Sequence, residues 1–296
     1  YFNSFPPQFT VRYSMKKAIE DGRLCEFYYY PKFIYLNDEE LEHYNAFTEK
    51  LRPYIDVKSG TYKITQESKK LLILRKNIIH KAQNKLTKLR EIIEEIGPAN
   101  FKNAFVYAPE GFEPDYWEQD DFTINEEDNR IIDCFSSILA AEGLMVRNYL
   151  GGTHGKDDIL KKFENGSYDA LIAMKCLDEG IDVPRTEYAI FCASTGNPRQ
   201  FIQRRGRVLR THEDKRSAKI YDMIVSPRPE EIALLDQAQH NAEISIFKSE
   251  LLRVINFLAL AENRMELING EFGRKCEEFG IDNLTELILK ELEFYD

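Results

Sequence analysis

Gln203, Gly206, Arg207 and Arg210 stand at positions i, i+3, i+4 and i+7 of the stretch QFIQRRGRVLR. On a helix, side chains at these spacings lie along one stripe of the surface. Two guanidinium groups one turn apart, with a glycine that leaves room beside them, suit a multiply charged, oxygen-rich group such as a triphosphate. A run of charge is more commonly a solvated face or a patch for a phosphate backbone, so the spacing alone leaves both alternatives open.

The residues before these arginines predict the elements that position them. An apolar run at 170–174 (ALIAM) is typical of a strand buried on both faces of a parallel sheet. The stretch 178–184 (DEGIDVP) interrupts this pattern with acids, a glycine and a proline, which indicates a functional loop or a turn. A second apolar run at 188–193 and turn residues at 196–198 then lead to the arginine-bearing helix. The inward-facing side chains of this helix are expected to be Phe201, Ile202, Val208 and Leu209.

The order and spacing of these segments resemble a known family. Q-x-x-G-R-x-x-R at 203–210, after a strand and G-x-D-x-P at 180–184, resembles motifs VI and V of superfamily 2 helicases. The wording is most similar to bacterial and archaeal DEAD/DEAH-type proteins related to repair and restriction helicases. The resemblance runs from about Phe105 to about Val225 and covers the second lobe of those motors. It implies an α/β fold, a RecA-like parallel sheet of the P-loop NTPase type sandwiched by helices, with helical segments flanking it.

The resemblance also assigns roles to individual residues. Arg207 and Arg210 match the arginine fingers, which stabilise charge on the transferring phosphoryl group and contribute roughly 10³- to 10⁵-fold in rate. Gln203 is implied to line the γ-phosphate side. The residues implied to approach the nucleotide are Gly180, Asp182 and Gly206. The residues implied to contact a nucleic-acid backbone are Arg199, Thr195 and Lys175.

Two other segments look like nucleotide motifs but do not match them. The loop at 151–156 (GGTHGK) has the wrong glycine spacing for a Walker A motif, and two acids follow its lysine. We interpret His154 as a loop residue, and Lys156 stands where the relatives usually carry arginine. Asp178 and Glu179 are separated from the strand by three residues, which is unlike a Walker B acid.

A Walker A or DEAH-like motif is found nowhere in the sequence. The resemblance then implies that ATP and Mg are held mainly by a first RecA-like lobe of the same protein. We expect the chain to be the C-terminal half of a helicase, unable to turn over ATP alone. A start at Tyr1-Phe2-Asn3, without methionine or a signal-peptide pattern, favours the same expectation.

Whole-chain properties limit the classes of partner. The 296 residues are 43% apolar, enough for a sizeable core, and the net charge of −10 requires any nucleic-acid contact to be a local patch. Five cysteines without a C-x-x-C pair argue against zinc and against a disulfide framework, and fit a reducing cytoplasm. No apolar run approaches the roughly 18 residues that span a bilayer, so we expect no membrane association.

Three segments are expected along the chain. Residues 1–100 form an interlobe linker, an edge strand ended by Pro31 and helices, including one that a capping sequence starts at Asn37. Residues 101–226 form the helicase C-terminal RecA-like domain, with an acidic loop at 111–125. Residues 227–296 form a helical extension that packs either on this lobe or on another part of the parent protein.

One long helix is predicted from Thr65 to Ile96. Its apolar stripe consists of Leu71, Leu74, Ile78, Ala82, Leu86, Leu89 and Ile93. Its basic residues are Lys69, Lys70, Arg75, Lys76, Lys81, Lys85, Lys88 and Arg90. This face could lie against a phosphate backbone or be solvated, and the sequence leaves both alternatives open.

Two further functions remain open from the sequence. One is a double-strand DNA translocase of a restriction or defence system, which hydrolyses ATP without separating strands. The other is a non-catalytic nucleic-acid-binding or scaffolding module with vestigial motor motifs. In each case DNA is the expected partner in preference to RNA.

Overall fold

The centre of the molecule is a six-stranded sheet in which every pair of neighbouring strands is parallel. The computed structural model describes residues 14–56, 61–109, 126–150, 153–174, 185–192, 204–228, 230, 234, 236–281 and 283–295. The strands of the sheet are β1 (Glu26–Ile34), β4 (Ala104–Tyr107), β5 (Val146–Tyr149), β6 (Ala170–Ala173), β7 (Tyr188–Phe191) and β8 (Ser217–Val225). Their order across the sheet is β1-β8-β7-β4-β6-β5. A separate two-stranded hairpin joins β2 (Ile55–Asp56) and β3 (Thr61–Tyr62).

Helices cover both faces of the sheet, which confirms the predicted α/β class. The helices are α1 (Met15–Glu20), α2 (Asp38–Leu51), α3 (Gln66–Lys81), α4 (Asn84–Ile96), α5 (Glu126–Ala141), α6 (Lys156–Glu164), α7 (Gln237–Leu258), α8 (Arg264–Asn269), α9 (Glu271–Glu278) and α10 (Leu284–Tyr295). One core joins α4 and α5 to the sheet, and the other joins α6, α7, α9 and α10. Every residue of β4, β6 and β7 is buried, as their apolar runs predict for strands covered on both faces.

Strand β1 lies at the edge of the sheet and continues past Pro31. It pairs with β8 residue for residue, from Glu26 beside Ser217 to Ile34 beside Val225. The prediction that Pro31 ends the strand is therefore wrong. Proline lacks the N–H that a central strand would donate, but an edge strand pairs on one side and tolerates it.

The C-terminal extension packs on this lobe and covers the open edge of β1. The side-chain amide of Asn263 accepts from the backbone N–H of Tyr29 at 3.0 Å and donates to its carbonyl at 2.9 Å. The N–H of Glu262 donates to the carbonyl of Phe27 at 3.0 Å. These bonds satisfy backbone groups that an edge strand would otherwise expose to pairing with another chain.

The predicted long helix is two helices. Ala82 leaves the helical region, with φ −45° and ψ 123°, and separates α3 from α4. The expectation of one basic face is also wrong. Arg75 and Lys85 are buried, at 2% and 1% exposure. Lys88 pairs with Glu91, and the Nε atom of Arg90 lies 3.6 Å from Glu142.

Arg75 instead joins the α2–α3 pair to α7. Its Nη1 atom donates to Glu243 of α7 at 3.0 Å, to Thr48 of α2 at 3.1 Å and to the hydroxyl of Tyr62 at 3.1 Å. The guanidinium lies 5.1 Å from the ring centroids of both Tyr44 and Tyr62. Tyr44 donates to the second oxygen of Glu243 at 2.6 Å. This buried network holds the N-terminal helices against the C-terminal extension.

The predicted capping sequence at the start of α2 is confirmed. The side chain of Asn37 accepts from the N–H of Glu40, and Glu40 accepts from the N–H of Asn37. This reciprocal box satisfies two donors that the first turn of a helix leaves without partners. In the part of the chain that the structure describes, no helix is long and apolar enough to cross a membrane.

Candidate functional site

The carboxyl ends of the six parallel strands meet at one edge of the sheet. Tyr107, Ala173 and Phe191, the last residues of β4, β6 and β7, stand at the same level in the register. Ligands of open α/β sheets bind at this edge because the connecting loops converge there. Six predicted site residues belong to segments after β6 and β7 and lie outside the described residues. They are Lys175, Gly180, Asp182, Thr195, Arg199 and Gln203.

The described part of the arginine-bearing segment begins at Arg204. It is helical over 204–208, and Arg210 forms an isolated antiparallel bridge with Leu24. The expected stripe from 203 to 210 therefore does not continue as a helix to its last arginine. Gly206, Arg207 and Arg210 are half-buried, whereas Val208 and Leu209 are buried as predicted.

Two arginines of this segment that were assigned no role are almost fully buried. Arg204 is 4% exposed, and its guanidinium lies 5.1 Å from the ring centroid of Tyr107. Arg205 is 1% exposed and lies 5.1 Å from the ring centroid of Phe257. The signal was present in the sequence, because Arg204 and Arg205 precede Val208 and Leu209 by four residues and share their helical face. The segment thus buries one pair of arginines and leaves the other pair half-exposed.

Neighbouring chain segments fix the C-terminal end of the arginine segment. The carbonyl of Leu209 accepts from the N–H of Cys25 at 2.7 Å, next to the bridge between Leu24 and Arg210. The buried ammonium of Lys215 donates to the carbonyl of Val208 and, at 2.9 Å, to that of Arg210. Burial lowers the pKa of Lys215. These contacts satisfy the carbonyls that a short helix leaves unpaired.

A buried charge cluster lies beside the same edge. Asp222 of β8 is paired in register with Phe191, and its Oδ2 atom accepts from the hydroxyl of Tyr29 at 2.8 Å. The Nη2 atom of Arg253 lies 3.4 Å from Asp222 and 3.2 Å from Glu250. Burial raises the pKa of Asp222, and Arg253 opposes this effect. The cluster joins α7 to β1 and β8, the first two strands of the sheet.

Lys85 reaches this cluster from the other face. Its Nζ atom donates to the carbonyl of His80 at 2.6 Å. The ammonium group also interacts electrostatically with Cys192 and Asp222. Burial lowers the pKa of Lys85 to about 8 and raises the pKa of the Cys192 thiol. A thiol with a raised pKa is a poor nucleophile, so the cysteine at the end of β7 has a packing role.

His154 and Lys156 lie between β5 and the first turn of α6. His154 lies in an exposed turn, which agrees with its interpretation as a loop residue. The ammonium of Lys156 lies 5.7 Å from the ring centroid of Tyr149, at the carboxyl end of β5. Among the described residues, no group of three or more His, Cys, Asp and Glu side chains could hold a metal ion.

Comparisons with known proteins add the following findings. Residues 125–212 match the family described as the helicase conserved C-terminal domain. The DNA 3'-5' translocase XPB2 of Sulfurisphaera tokodaii is 26% identical over 214 residues, covering 66% of this chain and 43% of that protein. The putative ATP-dependent helicase IRC3 of Saccharomyces cerevisiae is 35% identical over 69 residues, covering 23% of this chain and 10% of the relative.

A solved structure with a similar fold is the SWI2/SNF2 ATPase core of Sulfolobus solfataricus in complex with double-stranded DNA. Its TM-score is 0.46 at 18% identity, and the match covers 76% of this chain and 48% of that chain. This chain spans less than half of the length of each of the two sequence relatives.

Proposed function

Because the chain carries the C-terminal, second RecA-like lobe of a superfamily 2 helicase, we propose that it serves an ATP-dependent DNA motor in which Arg207 and Arg210 contact the phosphates of ATP. A first lobe of the same protein would hold most of the nucleotide and its magnesium ion. Arginine suits this role because its planar guanidinium donates two parallel hydrogen bonds to phosphate oxygens.

One observation carries the proposal. The segment with Arg207 and Arg210 follows β7 and begins at the carboxyl edge of the sheet, where ligands of this class of fold bind, because Arg204 lies against Tyr107 at the end of β4. It ends at Arg210, which pairs with Leu24 just before β1. Its buried arginines, Arg204 and Arg205, hold it in place, and Arg207 and Arg210 are half-buried. The space beside Gly206 would accommodate a ligand, because a Cβ atom placed there would meet no atom of the other described segments within 4 Å.

The proposed contribution of the chain is electrostatic and positional. Fixed guanidinium groups stabilise the negative charge that spreads over the transferring phosphoryl group, without the cost of reorganising solvent. Gln203, Gly180 and Asp182 would complete the nucleotide side of the site. Lys175, Thr195 and Arg199 would contact the DNA backbone. Hydrolysis then requires both lobes, so the second lobe by itself would not turn over ATP.

The test is an ATPase assay on the full-length protein with and without DNA. Arg207→Ala and Arg210→Ala are each expected to lower DNA-stimulated kcat by roughly 10²-fold or more, because each removes a charge used in the transition state. Arg264→Ala is the matched control, since Arg264 is exposed in α8 and the same change of type should leave kcat unaltered. Full activity of both finger variants would favour a non-catalytic binding or scaffolding module.

Translocation on duplex DNA is the second candidate function. The relative from Sulfurisphaera tokodaii is named as a DNA translocase, which favours this alternative to strand separation. The two are distinguished by giving the full-length protein a forked duplex and a duplex that carries a third strand. Displacement of the third strand without separation of the fork would identify a translocase. Comparison of duplex DNA with duplex RNA as the activator of ATP hydrolysis would test the choice of nucleic acid.

A further inference from the structure

Arg205 supplies the donor for a carbonyl at the C-terminal end of α7. Its Nη1 atom donates to the carbonyl of Asn256 at 2.8 Å. The backbone N–H groups of 259–261 donate to the carbonyls of Ile255, Phe257 and Leu258. These amides do not donate to the carbonyl of Asn256, and Arg205 supplies its donor. A cation at this position also complements the negative end of the helix dipole.

The anchor that receives Arg205 is itself fixed. The ring of Phe257 stacks on Tyr29 at 4.9 Å with an interplanar angle of 4°, and lies 5.9 Å from the ring of Phe191. The side-chain amide of Asn256 donates to Glu291 in α10. The end of α7 is thus joined to the sheet through aromatic rings and to α10 through a hydrogen bond.

The same short helical segment carries Arg205 and Arg207 on different faces. Only Gly206 lies between them, so a rotation or shift of the segment that moves the buried guanidinium also moves the half-buried one. We propose that Arg205 is a positioning residue, through which α7 and α10 set the alignment of Arg207 and Arg210 with the phosphates of ATP. The proposal rests on the proposed function of Arg207 and Arg210, and adds that the contact between Arg205 and α7 controls their orientation.

The consequence is a connection from the C-terminal helices to the rate of hydrolysis. The 204–208 segment is short, and its far end is held by Leu24, Cys25 and Lys215. With Arg205 attached to α7, both ends are fixed and the half-buried arginines have a defined orientation. Loss of this attachment would leave the first end with fewer contacts, among them that of Arg204 with Tyr107. A displacement of the α7–α10 pair would then change kcat without any contact between these helices and the nucleotide.

The test uses Arg205→Met in the full-length protein. Methionine keeps an apolar stem against Phe257 and removes the donor to Asn256. DNA-stimulated kcat is expected to fall by about 30- to 100-fold, with the KM for ATP changed by less than about twofold, because a misplaced group mainly loses transition-state stabilisation. Arg205→Lys keeps a positively charged donor, so its kcat is expected to be at least about threefold higher than that of Arg205→Met.

Two further variants separate positioning from loss of folding. Leu251→Ala shortens a buried side chain of α7 five positions before Asn256, so it is expected to lower the thermal midpoint while kcat stays within about twofold of wild type. Glu291→Ala releases Asn256 from α10 and is expected to lower kcat about threefold, in the same direction as Arg205→Met.

Unchanged kcat in Arg205→Met would overturn the inference. So would equal losses in Arg205→Met and Leu251→Ala, or an Arg205→Lys variant no better than methionine. Arg207→Ala in the same assay separates this failure from that of the proposed function. If Arg207→Ala is inactive and Arg205→Met is fully active, only the positioning role of Arg205 is refuted. If Arg207→Ala is active, the proposed function of Arg207, on which the positioning role rests, is refuted.

Discussion

Replacement of the buried Lys85 by methionine tests whether the protein is destabilised by an ammonium group in its interior. Lys85 is 1% exposed, and its Nζ atom has a hydrogen bond of 2.6 Å to the carbonyl of His80. Burial lowers its pKa from the ordinary 10.5 to about 8, and the nearby Arg253 acts in the same direction. Cys192, Glu250 and Asp222 act against this effect.

The size of the effect follows from the difference between the two pKa values. In the unfolded chain Lys85 holds its proton up to about pH 10.5, and in the folded chain up to about pH 8. Between these values the unfolded state binds more protons, so stability rises with pH. At 1.36 kcal/mol per pH unit the burial of the charged form costs about 3 kcal/mol. This cost is present in full below pH 8 and is relieved as the pH approaches 10.5.

The assay is urea unfolding of wild type and Lys85→Met at several pH values from 7 to 10.5. The free energy of unfolding of wild type minus that of the variant is expected to rise by about 3 kcal/mol across this range. Burial raises the pKa of Cys25, Cys192 and Tyr29, which lowers the stability of both proteins at high pH. Lys85 opposes the rise in the pKa of Cys192, so the two proteins differ at that thiol. Lys70→Met, at an exposed position, serves as the control and should show no such change.

Parallel curves for wild type and Lys85→Met would refute the reasoning. They would mean that folding does not change the proton affinity of Lys85. A difference that falls with rising pH would also refute it, because it would give the ammonium a net stabilising role in the folded state.

Three further predictions concern stability and activity. Arg75→Met should lower the free energy of unfolding by roughly 3–5 kcal/mol because it leaves the buried carboxylate of Glu243 without its cation, and Arg75→Met with Glu243→Met should recover part of the loss in urea titrations. Gly273→Ala should lower it by roughly 2 kcal/mol or more, since the added Cβ would lie 1.8 Å from the carbonyl oxygen of Ile268. Gly206→Ala should leave the free energy of unfolding unchanged or raise it by up to about 1 kcal/mol. It should nevertheless lower ATPase activity about tenfold or more, because the added methyl group would occupy the space that the nucleotide is proposed to approach. A fully active variant would contradict the proposal that the nucleotide lies next to Gly206.

Several elements could be predicted because their signals are local. The apolar runs of β6 and β7 predict strands covered on both faces, and every residue of the two strands is buried. The capping residues Asn37 and Glu40 predict the start of α2, because a cap is made by residues three positions apart. The wording of the segments 180–184 and 203–210 indicated the family. The roles of the individual site residues stay predictions.

Other predictions failed where distant contacts outweighed a local preference. Pro31 normally interrupts strands, but nine registered pairs with β8 carry β1 through it at the sheet edge. The stripe from Thr65 to Ile96 has helical periodicity throughout, yet Ala82 breaks it and lets α3 and α4 take separate positions. The stripe that ends at Arg210 stops short because this residue pairs with Leu24 instead of continuing the helix.

The sequence by itself determined the class of the fold, the strands of its centre and the segment that carries the arginines. These depend on periodicity, caps and motif spacing, which act over a few residues. Only the tertiary structure decided which basic residues are buried. Arg75 meets Glu243 from 168 positions away, and Arg205 meets Asn256 from 51 positions away. A charged side chain looks the same in the sequence whether it is solvated or paired, because its burial depends on partners that only folding brings within reach.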